Sequence, residues 1–252
     1  MTDHTGPLRH PSYRANTSAL APRREQRFPF TIRIATGEAD LAKANTVRRD
    51  AYGRHLPELA ARMAEPDAMD RHPDVAVLLV ESKLDGEPIG SARIQLNRTS
   101  RLSIESAVAL PTWMHGLRLA EVTRLGVVAG RTGMLAKLAL WKAIFFYWEM
   151  KSVQWAIAAG RAPIDQQYLD LTFVDLFPER GYVPLSYAGN LPHRVMAFES
   201  PTAYQRWKSA GHKLCDFIFH THHPDILLGD VALRQISAAP VAIAPLRKVL
   251  AG

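Results

Sequence analysis

The sequence predicts an α/β (α+β) domain: a mixed, mostly antiparallel central sheet flanked by helices on both faces, with a C-terminal helical extension. Three observations predict it. Asp74–Leu84 and Ile89–Leu96 are β-rich runs joined through Asp85-Gly86, a hairpin signal that makes them antiparallel neighbours. Glu121–Val128 is an apolar, β-branched run followed by a glycine-containing turn and a long apolar stretch, which reads as strand, turn and helix. Val153–Ala159 is a further buried strand after that helix, and antiparallel strands followed by such a crossover give a mixed sheet.

The remaining elements follow in order. Residues 1–27 are polar, carry three prolines and read as a flexible leader. Phe28–Ala35 is a first strand with Phe30, Ile32 and Ile34 on one face. Thr36 stands at the cap position of a helix that runs through Leu41, Ala44, Val47 and Ala51. A second helical piece covers Leu56–Met63, and a variable region spans Asn97–Leu117. The long helix covers Gly133–Met150, and Ile164–Phe177 is helical through Tyr168, Leu171, Phe173 and Leu176. Gly181–Pro184 and Arg194–Phe198 close the sheet. Pro201 to about His220 is helical, and the tail from Pro224 is weakly patterned. One domain at 28–200, with a C-terminal helix and tail at 201–252, is the economical division.

With 47% hydrophobic residues the chain can fill a sizeable core. Its net charge of +7 suits an anionic partner, but the arginines are scattered through the elements, which argues against nucleic acid. A single cysteine, Cys215, excludes an internal disulfide and a cysteine zinc site, and fits a reducing cytoplasm. Lys137, Lys142, Glu149 and Lys151 flank the apolar 144–148 segment and leave no uninterrupted stretch near about 20 residues, so no membrane span is expected, with peripheral membrane contact left open. His220, His222 and His223 lack a nearby Cys or Glu to complete a ligand set, so no metal is expected. Cys215, at helical spacing beside Leu214 and Phe217, reads as packing.

The chemistry concentrates at Glu121-Val122-Thr123-Arg124-Leu125-Gly126-Val127, a buried strand that carries an acid and a guanidinium. Charges in such a strand are costly unless paired or used. The turn that follows, Val127, Val128, Ala129, Gly130, Arg131, Thr132 and Gly133, leads into a helix. Backbone N–H groups and a helix N-terminus collect phosphate. An acid upstream of a phosphate cradle suggests group transfer from a phosphate-bearing carrier. An ordinary turn with Thr132 as a cap is the competing reading.

Four residue pairs then fall into a pattern. Arg48 precedes Tyr52 by four residues, Asp67 precedes Asp70 by three, Gly90-Ser91-Ala92-Arg93 lies on the second hairpin strand, and Glu121 precedes Arg124 by three. In this order and on these elements, over residues 28–128, they resemble the acyl-homoserine-lactone (autoinducer) synthases and the related N-acyl amino acid synthases of the GNAT acyltransferase fold. Residues 129–200 resemble that fold in layout. The resemblance implies an enzyme, an acyltransferase with Glu121, Arg93 and Arg124 as catalytic residues and Arg48, Tyr52, Asp67 and Asp70 as substrate-binding residues. It implies donor binding by the turn 127–133. No cofactor is permanently bound; an acyl-acyl carrier protein (ACP) or acyl-coenzyme A (CoA) thioester is the co-substrate, and a small-molecule amine is the acceptor.

Two departures refine what the resemblance implies. Val127 and Thr132 replace the polar and small residues of the usual coenzyme A loop, and the basic net charge suits an acidic carrier protein. The tryptophan that the lactone synthases carry after the first-helix aromatic is absent, Arg54-His55 standing there instead, which favours an amino acid acceptor over S-adenosylmethionine. The expected function is transfer of a fatty acyl group to the amine of an amino acid or similar acceptor. A lactone synthase and a non-catalytic acyl-, membrane- or protein-binding module are the alternatives.

Amide formation needs a group to take a proton and groups to stabilise the oxyanion. Glu121 suits the first, since burial raises a carboxyl pKa; a structural ion pair with Arg124 or Arg93 competes. Residues three apart on a regular strand face opposite sides, so Glu121 and Arg124 share a face only across a bulge. Arg93 is a buried pair partner or a carboxylate-binding group, and Arg48, Asp67 and Asp70 form a network at the acceptor mouth or a solvated helix face. The aromatic residues of the long helix pack the core or line an acyl tunnel.

Overall fold

In the computed structural model, which describes residues 24–229, the chain begins with a short β1 (Arg24–Glu25) and then β2 (Phe30–Ile34). Two helices follow, α1 (Glu38–Gly53) and α2 (Pro57–Ala61), and then the hairpin of β3 (Val75–Ser82) and β4 (Pro88–Leu96). Next come β5 (Leu119–Val127), α3 (Gly130–Met150), β6 (Trp155–Gly160) and α4 (Asp165–Asp170). The sheet is completed by β7 (Val174–Asp175), β8 (Val183–Leu185) and β9 (Leu191–Glu199). The C-terminal part holds α5 (Ala203–Ser209), β10 (Thr221–His222) and β11 (Ile226–Leu227).

The main sheet runs β11-β2-β3-β4-β5-β6-β9-β7, with β8 also on β9. Strands β2 to β5 are antiparallel, β5 and β6 are parallel, and β9 is antiparallel to β6, β7 and β8. The parallel pair requires a crossover, and α3 supplies it. Strand alternation buries both faces. Leu78 and Val80 of β3 pack with Leu140 and Ile144 of α3, while Val77 and Leu79 pack with Leu41 and Ala44 of α1.

The aromatic residues of α3 pack this core. Phe145 and Trp148 are buried against each other and against Phe198, with ring centroids 5.1–5.9 Å apart. No helix among the described residues is long and apolar enough to cross a membrane.

Three expectations change. The helix expected over 164–177 ends at Asp170, because Thr172 adopts φ 66° and turns the chain so that Phe173 enters the core and β7 pairs with β9. The apolar spacing of Tyr168, Leu171 and Phe173 reflects burial, not continuous helix. The helix expected over 201–220 is broken after α5, where Gly211 takes φ 61°, and a π-helical turn follows at Asp216–His220. The segment expected to be a weakly patterned tail instead adds β11 to the sheet, parallel to β2.

Residues 201–229 therefore belong to the same core as 28–200. Trp207, Cys215, Ile218 and Ile226 are buried in it. Asp225 accepts hydrogen bonds from the Phe28 amide (2.7 Å) and Lys83 (2.6 Å). Buried Lys142 of α3 donates to the Phe217 and Thr221 carbonyls, each at 2.5 Å. The leader expected at 1–27 lies outside the described residues up to 23. Its end is ordered, since β1 pairs with β10. Residues 230–252 of the expected tail also lie outside.

Candidate functional site

An open cleft of about 410 Å³ lies on the α1 face of the sheet. Its walls include Asn45 and Arg48 of α1, Arg62–Asp67 after α2, Arg93 of β4 and Arg124 of β5. A smaller cleft of about 200 Å³ shares Arg62 and is lined by His55, Leu56, Leu59, Ala188, Gly189 and Leu191.

Behind the larger cleft, Asp70 is wholly buried and holds two arginines. Its carboxylate accepts from Arg48 Nη1 and from Arg93 Nε, each at 2.8 Å. Asp67 accepts from the Met69 amide, which caps a 3₁₀ turn at Ala68–Arg71. Its other oxygen meets Arg93 Nη2 at 2.9 Å and Arg124 Nη2 at 3.3 Å. Burial opposes ionisation of Asp67, but the Arg93 hydrogen bond and charge, with help from Met69 and Arg124, hold its pKa at about 2. Burial pulls the Arg48 pKa down to about 10 against the pull of Asp70, and neighbouring Arg93 adds to the decrease. The network is thus three arginines around two aspartates, an excess of one positive charge. Arg48 Nε donates to Ser91 Oγ at 3.1 Å, while its buried Nη2 has no partner. An unpaired guanidinium nitrogen in a positive cleft is suited to a carboxylate.

The β4–β5 ladder explains how Arg124 joins this group. Arg93 pairs with Thr123 and Ser91 with Gly126, so Ala92 faces both Arg124 and Leu125. This is a β-bulge, and Arg124 takes φ 55°. The extra residue brings Arg124 to the face that carries Glu121 and Thr123. Gly126 completes the fit, because a Cβ there would lie 3.0 Å from Ala51 Cβ and 3.2 Å from Arg48 Cα.

Glu121 is buried, 1% exposed, and lines neither cleft. Its carboxyl accepts from the Ile104 amide (2.9 Å) and the Tyr187 hydroxyl (3.0 Å). Neither Arg93 nor Arg124 makes an ion pair with it; Arg93 acts only at a distance. Burial outweighs these hydrogen bonds and raises the Glu121 pKa to about 7. The acid therefore has the proton affinity of a base for neutral pH and also anchors the loop before β5. A tunnel from Glu121 is not among the clefts described. Tyr52 is half-buried, within electrostatic range of Arg48, and lines neither cleft.

The sheet opens beside this face. The β5–β6 register runs from Leu119–Trp155 to Val122–Ala158, while β5 continues to Val127. The turn after β5 leads into α3, whose N-cap is Ala129 and has no side-chain cap. Thr132 is therefore inside the first turn and does not cap it. The first amides of α3 are orphan donors at the positive end of the helix. Exposed Arg131 stands there, and exposed Arg54 donates to the Val127 carbonyl at 2.7 Å. Gly133 has no room for a side chain, since a Cβ would meet the Val128 carbonyl oxygen at 1.7 Å. Gly133→Ala is expected to lower stability by about 1–3 kcal/mol by forcing the turn open. Urea unfolding checks this, and a change under 0.5 kcal/mol would contradict the tight turn.

Arg48, Asp67, Asp70, Arg93 and Arg124 thus form one network, Glu121 lies behind it, and Tyr52 and the turn 127–133 lie outside both clefts. Sequence reasoning missed Asn45, Arg62, Glu65 and Tyr187. Asn45 lies three residues before Arg48 on α1, a helical spacing that points to it; its side chain donates to the Met63 carbonyl at 2.9 Å. Tyr187 is 66 residues from Glu121 and has no local signal. Among the described residues no group of three His, Cys, Asp or Glu is placed to hold a metal. His223 instead stacks on Phe28, with centroids 4.4 Å apart, and burial lowers its pKa to about 4.

No family model and no curated protein matches the sequence. Solved structures do resemble the fold. FeeM, an N-acyl amino acid synthase from uncultured soil microbes, superposes with TM-score 0.59 at 16% identity, covering 75% of this chain and 96% of FeeM. The acyl-homoserine-lactone synthase LasI gives TM-score 0.47 at 14% identity, covering 69% of this chain and 93% of LasI. BjaI, a coenzyme A-dependent acyl-homoserine lactone synthase, gives 0.47 at 17%, covering 70% and 89%. The likeness to FeeM, together with the mixed sheet, its parallel β5–β6 crossover and its helices on both faces, shows that the chain has the GNAT-type fold.

Proposed function

We propose that the protein is an N-acyltransferase that moves a fatty acyl group from an acyl carrier protein or coenzyme A thioester to the amine of an amino acid or similar small acceptor. The observation that carries this reading is the buried, unpartnered Nη2 of Arg48 in a cleft with an excess positive charge. That nitrogen suits the carboxylate of the acceptor, and Arg93 and Arg124 add to the field that favours it. Glu121 behind the cleft supplies a proton acceptor matched to neutral pH. The opening beside β5, with orphan amides at the start of α3 and exposed Arg54 and Arg131, suits the phosphate of a phosphopantetheine arm. The net charge of +7 favours an acidic carrier protein as the donor. FeeM, which shares the fold, is an N-acyl amino acid synthase, and this agrees with the choice of acceptor.

The test is to incubate the protein with acyl carrier thioester, acyl-coenzyme A and a mixture of amino acids, and to look for N-acyl products by mass spectrometry. An N-acyl amino acid supports the reading, and its absence with every pair overturns it. Arg48→Lys keeps the charge but loses the planar fork. It is expected to raise the KM for the acceptor about tenfold, with the KM for the donor unchanged. Equal changes in both constants would remove Arg48 from the acceptor subsite.

The loop anchoring by Glu121 favours one other reading, a non-catalytic module in which the carboxylate only secures residues 102–106. In that module Glu121→Gln leaves binding functions untouched.

A further inference from the structure

We propose that Tyr187 relays the proton from the acceptor amine to Glu121. The inference rests on the acyltransferase reading and deepens it, because it names how a base with no exposure reaches its substrate. Glu121 is 1% exposed, and each of its carboxyl oxygens is engaged, one by the Ile104 amide and the other by the Tyr187 hydroxyl. No acceptor amine reaches a carboxylate in that setting directly.

Among the described residues Tyr187 is the one side chain hydrogen-bonded to this carboxyl, and it stands at a more open position. It is half-buried and stands on a short 3₁₀ turn, Ser186–Ala188, between β8 and β9. Gly189, with φ 72°, ends the turn and lines the smaller cleft together with Ala188. The phenol is also within electrostatic range of Arg124, which lines the larger cleft. Tyr187 itself lines neither cleft, but its hydroxyl bonds the buried acid while its chain neighbours Ala188 and Gly189 wall the smaller cleft. A phenol that donates its proton to Glu121 keeps two lone pairs, and one of these can accept an N–H from an amine in the cleft.

The step balances without any further reagent. The amine nitrogen bonds to the thioester carbonyl carbon, and the C–S bond breaks. One amine proton passes to the Tyr187 oxygen while the Tyr187 proton passes to the Glu121 carboxylate. The leaving thiolate then takes a proton back by the same route, so the products are the amide and the free thiol, and Tyr187 and Glu121 return to their starting forms. Tyr187 itself never carries a full negative charge. This fits a site where burial and the neighbouring Glu121 push the phenol pKa far above its ordinary value.

The test uses the full chain and the donor and acceptor pair that gives product with the unsubstituted protein. Tyr187→Phe keeps the ring and removes the relay oxygen. It is expected to lower kcat about 100-fold or more with both KM values unchanged. It also removes a hydrogen bond that favours the Glu121 anion, so any residual activity has its acid limb moved to higher pH. Infrared difference spectra against Glu121→Gln read the same upward shift in the carboxyl titration, independently of turnover. Incorporation of 3,5-difluorotyrosine at 187 keeps the shape and makes the phenol more acidic, and is expected to restore most of the activity. A kcat within threefold of the unsubstituted protein, or a lower kcat with both the pH profile and the infrared titration unmoved, overturns the relay. Failure of the unsubstituted protein to give product with any pair overturns the acyltransferase reading itself, which separates the two failures.

Discussion

Replacing Asp70 with asparagine is expected to cost about 3–5 kcal/mol of folding stability, the largest loss for any single substitution near the cleft. The carboxylate is wholly buried and, among the described residues, is the only acid bonded to Arg48. Asparagine is nearly isosteric, so the change removes charge and leaves volume. Arg93 keeps Asp67 as a partner, but Arg48 is left as a buried cation beside another cation. Urea unfolding at constant pH reads the loss. Asp70→Asn combined with Arg48→Met should recover a large part of it, because a buried pair replaced by apolar packing is near neutral whereas a broken pair is not. A loss below about 1 kcal/mol for the single variant would show that the network is solvated and does not organise the site.

Replacing Glu121 with glutamine is expected to lower kcat by about 10²–10⁴-fold while leaving the fold intact. The native profile should rise with pH through an acid limb near 7, the pKa of the buried carboxyl, since the base acts when deprotonated. The stability effect has the opposite sign to that of Asp70. The folded pKa of Glu121 lies above the ordinary 4.5, so between pH 4.5 and 7 the folded chain binds more protons than the unfolded one. Stability therefore falls as pH rises through that window, and the full cost, on the order of 3 kcal/mol, is present above pH 7. Glu121→Gln should be at least as stable as the native protein at pH 8 and much less active. Activity within threefold of native would assign Glu121 to loop anchoring alone.

These two acids show how far local pattern carries. The Asp67–Asp70 and Glu121–Arg124 spacings could be read from the chain, but the depth of each group could not. Asp70 is buried because the 3₁₀ turn at Ala68–Arg71 points it behind the cleft, and only the packing of α1 on β4 brings Arg48 and Arg93 to it. The need for a bulge between Glu121 and Arg124 followed from strand geometry. That the bulge would hand Arg124 to Asp67 rather than to Glu121 depended on where the loop at 64–67 lies. The partners of Glu121 come from residues 104 and 187, each held in place by long-range packing.

The helix errors have the same origin. Period 3.6 and simple burial place apolar residues alike over a few positions, so 164–177 read as one helix until the positive φ of Thr172 redirected the chain. The sequence by itself determined the hairpin, the bulge requirement, the long crossover helix and the spacing of the charged residues, because turn chemistry, strand alternation and helix periodicity act over a few neighbouring residues. Only the tertiary structure decided which charges meet, that residues 201–229 complete the core, and that the Tyr187 hydroxyl reaches Glu121. Those outcomes depend on contacts between residues 20 to 200 positions apart, and nothing in a local stretch of chain encodes which distant partner will arrive.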